Sequence, residues 1–121
     1  MTAEPQRQLT VPEIRNALSW EAATILQAMN MKRGRVRGIT DMACEVDQRL
    51  CIEPHEGFPY GGLPIGATPR ERWERIRESV EPRVRAAVTV LLTFGLIEPL
   101  TINRTDEWAI TNFGVLVASG R

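Results

Sequence analysis

Apolar residues recur at helical spacing ahead of Gly95, in the last third of the chain. Val84, Val88 and Leu91 fall on one face of a helix. Gly95 predicts the end of that helix, because glycine adopts the left-handed backbone conformation without a Cβ clash. The pattern therefore predicts a helix that stops at a tight glycine turn.

After this turn the hydrophobic pattern becomes that of short extended runs. Apolar residues cluster at 100–102 and 108–110, and the residues between them are polar. Two short apolar runs separated by polar residues predict a β-hairpin with its tip at 103–107. Thr111 can then cap a short last helix that carries Val117.

The first third of the chain also has helix signals. Thr10 and Glu13 form a capping-box signature, which predicts a helix from about Val11. Ser19 could cap a second start, so the segment is either one helix to about Met31 or two helices joined at Ser19.

Two further helices are predicted in the middle of the chain. Thr40 can cap a helix that reaches about Leu50. Thr68 and Glu71 form a second capping box, which predicts another helix to about Val80.

Pro82 predicts a break or sharp kink at 79–82. Proline lacks the N–H that a helix interior needs, and it pushes Glu81 toward extended geometry. The turn of a helix-turn-helix could lie here, so the identity of the recognition helix stays open.

The order of the last elements, with FGLIE leading into WAIT and then FG, resembles the winged helix-turn-helix family. The pattern is most similar to the N-terminal DNA-reading domains of restriction systems and to small multiple-antibiotic-resistance-type regulators. The resemblance implies a mainly α fold with a small β-hairpin (α+β). It also implies a recognition helix at about 82–94 and a wing at about 98–110.

Length and composition suit one ordinary globular domain. The chain has 121 residues, of which 43% are hydrophobic and 25% charged. We expect a flexible N-terminal arm at 1–10 and a single winged-helix domain at 11–121. A long loop insertion is expected at 51–67, where proline, glycine and aromatic residues concentrate. Such a loop is either an ordered Ω-like loop or a functional one.

Several classes of function have little support in the sequence. No apolar run is long enough to cross a bilayer, and the start of the chain lacks a secretory pattern, so we expect a cytoplasmic protein with no membrane contact. Two cysteines and one histidine make a poor zinc set. No nucleophile and base stand at a spacing typical of a catalytic pair, so we do not expect an enzyme. We also expect no bound metal and no cofactor.

The candidate DNA-binding residues are mostly arginines, which suit phosphate and guanine recognition, although the formal net charge is zero. They are Lys32, Arg33, Arg35, Arg37, Arg83, Arg85, Thr89, Asn103 and Arg104. For the cluster at 32–37, the alternative is a solvated loop or ion pairs with acids of the next helix. For Arg83 and Arg85, the alternative is pairing with Glu78 or Glu81.

The leading hypothesis is a transcriptional regulator that binds double-stranded DNA as a homodimer, with terminal helices around Leu18 and Val117 as dimer elements. The alternative is a winged-helix module for protein–protein contact, for example a phage or accessory protein that binds a host complex through the 51–67 loop. A third hypothesis is a regulator that senses a ligand, although no residue pattern indicates which ligand it would bind.

Overall fold

The computed structural model describes residues 9–52, 68–101 and 104–119. Within these ranges the chain is mainly helical and carries a small two-stranded antiparallel sheet. The predicted arm at 1–10 and the loop insertion at 51–67 lie mostly outside the described residues. The elements are α1 Val11–Ala17, α2 Trp20–Met31, α3 Ile39–Ile52, α4 Pro69–Arg75, α5 Glu81–Thr93, β1 Ile97–Thr101, β2 Arg104–Ile110 and α6 Asn112–Ala118, with a π-helical segment at Ile76–Val80 between α4 and α5.

The first helical region is two helices, which decides between the two alternatives that the sequence left open. The Thr10 hydroxyl accepts a hydrogen bond from the Glu13 N–H at 3.3 Å, and Glu13 Oε1 accepts one from the Thr10 N–H. Leu18 then leaves the helical conformation, and the Ser19 hydroxyl caps α2 through the Ala22 N–H at 3.2 Å. Local capping therefore sets both starts.

Helix α3 begins differently from the prediction. Its first residue is Ile39, so Thr40 lies inside the helix and does not cap it. Asp41 instead accepts hydrogen bonds from the N–H groups of Arg37 and Gly38, both at 3.3 Å. These bonds satisfy backbone N–H groups just ahead of the helix, and the carboxylate in the first turn suits the positive end of the helix dipole.

Of the break or sharp kink predicted at 79–82, the break was wrong. Glu81 has helical φ and ψ angles of −56° and −43°, and its N–H donates to the carbonyl of Ile76, five residues back. A π-turn therefore accommodates Pro82, which lies inside a continuous helical run although α5 is counted from Glu81. The helical conformation continues from Pro69 to Thr93, so no helix-turn-helix turn lies at Pro82.

Helix α5 ends as predicted. Gly95 has a φ of +70°. Its N–H donates to the Leu92 carbonyl at 3.0 Å, and the Leu96 N–H donates to the Leu91 carbonyl at 2.9 Å. This is a Schellman arrangement, and it turns the chain directly into β1.

The hairpin is longer than predicted and its tip is shorter. Register runs from Ile97 opposite Ile110 to Thr101 opposite Arg104, with an irregularity after Pro99. Four of the five residues expected in the tip therefore belong to β2. The segment before α3 joins this sheet, because Gly38 forms a bridge with Glu107 and the Trp108 N–H donates to the Arg37 carbonyl at 2.9 Å.

The core lies where α2, α3 and α5 meet. Leu26, Met42 and Leu91 are each no more than 1% exposed. Trp108 closes the core from the hairpin side with 8% of its surface exposed. Helix α6 packs so closely that a Cβ on Gly114 would lie 2.1 Å from the Leu96 carbonyl oxygen, so this position requires glycine. None of the helices in the described ranges has the length and apolar character needed to span a membrane.

Candidate nucleic-acid interface

The basic segment, residues 32–38, links α2 to α3 along the edge of the hairpin. Val36 anchors it, because that side chain is only 4% exposed within the core. Arg35 and Arg37, on either side of Val36, are exposed. This in–out alternation is that of a strand with one buried face. The backbone pairing of Arg37 and Gly38 with β2 therefore holds the two arginines beside the hairpin.

The basic side chains of this segment form two groups, those with a hydrogen-bond or ion-pair partner among the described residues and those without one. Lys32 Nζ forms an ion pair with Glu45 Oε1 at 2.6 Å, and Arg33 Nη2 donates to Asn30 Oδ1 at 3.1 Å. The side chains of Arg35 and Arg37 make no hydrogen bond or ion pair within the described residues. The predicted pairing with an acid of the next helix is thus confirmed for Lys32, whereas the side-chain charges of Arg35 and Arg37 have no partner among the described residues.

A shallow cleft of about 200 Å³ runs along this side of the hairpin. Arg33 and Arg37 lie on its wall, and Trp108 and Leu100 supply its apolar surface. The start of α6 closes one end through Asn112. The structure therefore brings two of the predicted arginines together next to β1 and β2.

The exposed face of α5 carries small side chains and one arginine. Arg85, Ala86 and Thr89 are exposed, whereas Val84 and Val88 are buried. The Thr89 hydroxyl donates to the Arg85 carbonyl at 3.2 Å. Because this hydrogen bond occupies the hydroxyl proton, Thr89 offers a methyl group and an acceptor to a ligand.

Arg83 and Arg85 lie in different surroundings. Arg83 lines a hollow at the start of α2, together with Ser19 and Glu21. Arg85 lines a separate cleft on the hairpin side of α5. The two arginines are two positions apart on a helix, so they point in nearly opposite directions. They do not form one continuous surface with each other.

The Arg85 cleft, of about 560 Å³, is rich in acids. It lies between the start of α3, the start of α5 and β2. Within the described residues its charged lining consists of one arginine and four carboxylates. These are Arg85, Asp41, Glu81, Asp106 and Glu107. Carboxylates at this density repel phosphate groups, so this side of α5 is less suited to a DNA backbone than the basic segment is.

Of the two candidate residues in the predicted wing, Arg104 belongs to the described part of the chain. Asn103 lies outside the described residues. Arg104 opens β2 opposite Thr101, and its backbone position places it at the tip of the hairpin.

One charged contact was not predicted from the sequence. Asp47 on α3 and Arg75 at the end of α4 form an ion pair, and each side chain is only 10% exposed. Burial acts to lower the pKa of Arg75, but the hydrogen bond and the charge of Asp47 outweigh it and raise the pKa. Sequence spacing alone would equally allow an i,i+4 pair of Arg75 with Glu71. The real partner is 28 positions away, and no local pattern could have identified it.

The cysteines lie on the same helix as Asp47. Cys44 is half-buried, and Cys51 is exposed at the end of α3. Burial raises the pKa of the Cys44 thiol, and the charges of Asp41 and Asp47 raise it further. Both thiols are free, and no cluster of three or more metal-ligating side chains occurs among the described residues.

Comparison of the chain with models of known protein families, with curated proteins and with solved structures found no match.

Proposed function

We propose that this protein binds double-stranded DNA through a winged-helix arrangement, and that the basic segment provides its main grip on the phosphate backbone. The observation that carries the proposal is the pairing of this segment with β2. That pairing places the exposed side chains of Arg35 and Arg37 beside the hairpin, where no described residue neutralises them.

The order of elements supports a winged helix. A helix, α2, is followed by the short pairing segment, by α3, by the helical run ending in α5, and by the hairpin. The same order is expected from the resemblance noted in the sequence. The continuous helix from Pro69 to Thr93 makes this run the candidate recognition helix, with the end of α3 and the 53–67 segment ahead of it.

The charge distribution refines which residues would touch DNA. Arg35 and Arg37 would neutralise phosphates and release condensed cations, which is the main source of sequence-independent affinity. Ala86 and Thr89 on α5 are small enough for close approach to base edges in a major groove. Arg85 is a weaker candidate because acids surround it, and Arg83 lies on the α2 side.

The proposal includes a homodimer. One small domain buries only a limited area against DNA, and a second copy would add to that area. Val117 is only 1% exposed, so it packs into the core of its own chain. Phe113 and Leu116 on α6 are 38% and 50% exposed and are better placed to meet a second copy. Sedimentation velocity across a range of concentrations tests this, and a monomer at the highest concentration would contradict it.

The alternative function is a protein–protein module built on the same fold. The acid-rich cleft beside Arg85 favours it, since such a surface attracts a basic protein segment and repels DNA. Under this alternative the protein would not bind a duplex even at low salt.

The deciding experiment is fluorescence anisotropy with a labelled mixed-sequence duplex at two salt concentrations. We expect binding that weakens steeply as salt rises. The variant Arg35→Ala/Arg37→Ala should bind about tenfold more weakly, with a salt slope lower by about two. Arg49→Ala is the control, because Arg49 is also exposed but lines a hollow between α2 and α3 to which no hairpin residue contributes. An equal loss in this control, or no binding at low salt, would contradict the proposal.

A further inference from the structure

The two most exposed large hydrophobic side chains in the described part of the chain lie close together, beside Lys32 at the start of the basic segment. Met31 ends α2 and is 82% exposed, and Ile52 ends α3 and is 71% exposed. Both line a hollow of about 250 Å³ between these two helices. Such exposure of neighbouring large apolar groups is unusual on the surface of a soluble domain and is typical of a binding surface.

A second hollow, of about 230 Å³, lies on the other side of α3 and faces α4. Trp73 forms its wall and is 47% exposed, with Ile76 beneath it. Gln48 lines both hollows, so they adjoin each other across α3. We call the two hollows together the α3 groove.

The acids that line the α3 groove are already neutralised. Glu45 pairs with Lys32 at 2.6 Å, and Asp47 pairs with Arg75 below the surface. These carboxylates therefore add little negative potential to the groove.

Two basic side chains of the groove have no such partner. Arg49 lines the first hollow and Arg72 the second, and both are exposed. Neither forms an ion pair within the described residues. The groove thus combines an apolar floor with a surplus of positive charge at its rim.

We propose that the α3 groove binds an acidic amphipathic segment of a protein partner. Apolar side chains of that segment would fill the hollows beside Met31, Ile52 and Trp73, and its carboxylates would pair with Arg49 and Arg72. An amphipathic helix in an apolar groove is a common mode of peptide recognition. The proposal is independent of DNA binding, because it uses neither Arg35 nor Arg37.

The charge pattern favours this occupant over two others. Two copies of the chain meeting through this groove would bring like-charged rims together, which is unfavourable. A nucleic-acid backbone would satisfy the two arginines, but its phosphates would leave the apolar floor unfilled. An acidic amphipathic segment satisfies both features at once.

The test uses a fluorescein-labelled helical peptide of about 15 residues, with leucine at helical spacing on one face and glutamate on the other. Anisotropy should show saturable binding. A peptide of the same pattern with lysine in place of glutamate should not bind. Binding of both peptides alike, or no binding of the glutamate peptide at about 1 mM, would overturn the proposal.

Variants of the protein locate the site. Arg49→Glu/Arg72→Glu should weaken binding at least about tenfold, and Arg49→Gln/Arg72→Gln should weaken it less. For Arg72→Glu alone, Arg77→Glu is the matched control, because it makes the same change of charge on the same helical run, outside both hollows. Met31→Ser/Ile52→Ser tests the apolar floor and should also weaken binding at least about tenfold. Circular dichroism confirms that each variant is folded.

Three results would overturn the assignment. The first is an equal loss of binding in Arg77→Glu, which would mean that only total charge matters. The second is binding to phosphatidylserine vesicles, with the same dependence on Arg49 and Arg72, in place of binding to the peptide. The third is self-association of the wild-type chain that Met31→Ser/Ile52→Ser abolishes.

Discussion

Arginines occupy two contrasting regions of this molecule, the contact between α3 and α4 and the basic segment beside the hairpin. In the first region Arg75 is nearly buried against Asp47, with 10% of each side chain exposed. In the second, Arg35 and Arg37 extend into solvent without a described partner. The residue type is the same in both regions, but the surroundings differ. In the first region the guanidinium stabilises the fold through its ion pair, whereas in the second the charge of each arginine has no described partner.

The comparison shows why a count of arginines predicts little about function. Formal charges balance over the whole chain, yet individual arginines differ in what neutralises them. Arg75 is neutralised inside the fold, Arg85 by a cleft of acids, and Arg35 and Arg37 by nothing described. An arginine therefore becomes a candidate for phosphate contact only where the fold leaves its charge unmatched.

Removal of Asp47 should have the largest effect. Asp47→Ala leaves the Arg75 guanidinium nearly buried without its carboxylate, so we expect a loss of about 3–5 kcal/mol in the free energy of unfolding. Urea unfolding followed by circular dichroism measures it.

The control for this prediction is the exposed pair of Arg70 and Glu74, whose side chains are 89% and 58% exposed. Glu74→Ala should cost no more than about 0.5 kcal/mol, since water screens such pairs. The double variant Asp47→Leu/Arg75→Met should recover most of the lost stability, because it leaves no uncompensated charge. A loss below about 1 kcal/mol in Asp47→Ala would contradict the structural role.

The second prediction concerns the basic segment, where we expect a loss of DNA affinity without a loss of stability. Arg35→Ala/Arg37→Ala should leave the free energy of unfolding within about 0.5 kcal/mol of wild type, because neither side chain has a described partner to lose. The same variant should lose about tenfold in affinity for duplex DNA. A stability loss as large as that of Asp47→Ala would show that these arginines stabilise the fold as Arg75 does, and it would contradict the prediction.

Helix starts were predictable from the sequence where a few neighbouring residues decide them. Both capping boxes, at Thr10 and at Thr68, form as expected, because each needs only a residue three positions away. Gly95 ends α5 for the same reason. These features are local, so a short stretch of sequence contains all the information they need.

The errors arose where distant contacts or backbone adjustments decide. Pro82 predicts a break, but a π-turn absorbs its missing N–H within a helix that packs against α2 and α3. Arg75 reaches Asp47 only because α3 packs against the π-helical segment that directly follows Arg75. For the candidate site, the sequence predicted which residues are basic but could not predict that Asp106 and Glu107 would lie beside Arg85.

The third prediction concerns that acid-rich cleft. Arg85→Ala should change DNA affinity by less than about twofold, because nearby carboxylates already offset the charge. Asp106→Asn should raise the affinity by about twofold, since one source of repulsion is removed without a change of shape. Anisotropy at low salt measures both. A tenfold loss in Arg85→Ala would instead assign α5, and not the basic segment, as the main grip.

The smallest effect is expected at Cys44, which shares the α3–α4 contact with Asp47. Burial and the nearby acids raise the pKa of its thiol, so the neutral form persists to higher pH than in an unfolded chain. In a Cys51→Ser variant, the reaction of Cys44 with a disulfide reagent should be slow at neutral pH and should keep accelerating at alkaline pH, because the thiolate is the nucleophile. The reaction rate measured against pH, for the folded protein and in urea, gives both titration midpoints. The folded midpoint should be the higher one, and in Asp41→Asn, which leaves the Asp47–Arg75 ion pair intact, it should move back toward the midpoint in urea. A folded midpoint at or below that in urea would mean that the α3–α4 contact does not exclude water from this thiol as the structure indicates.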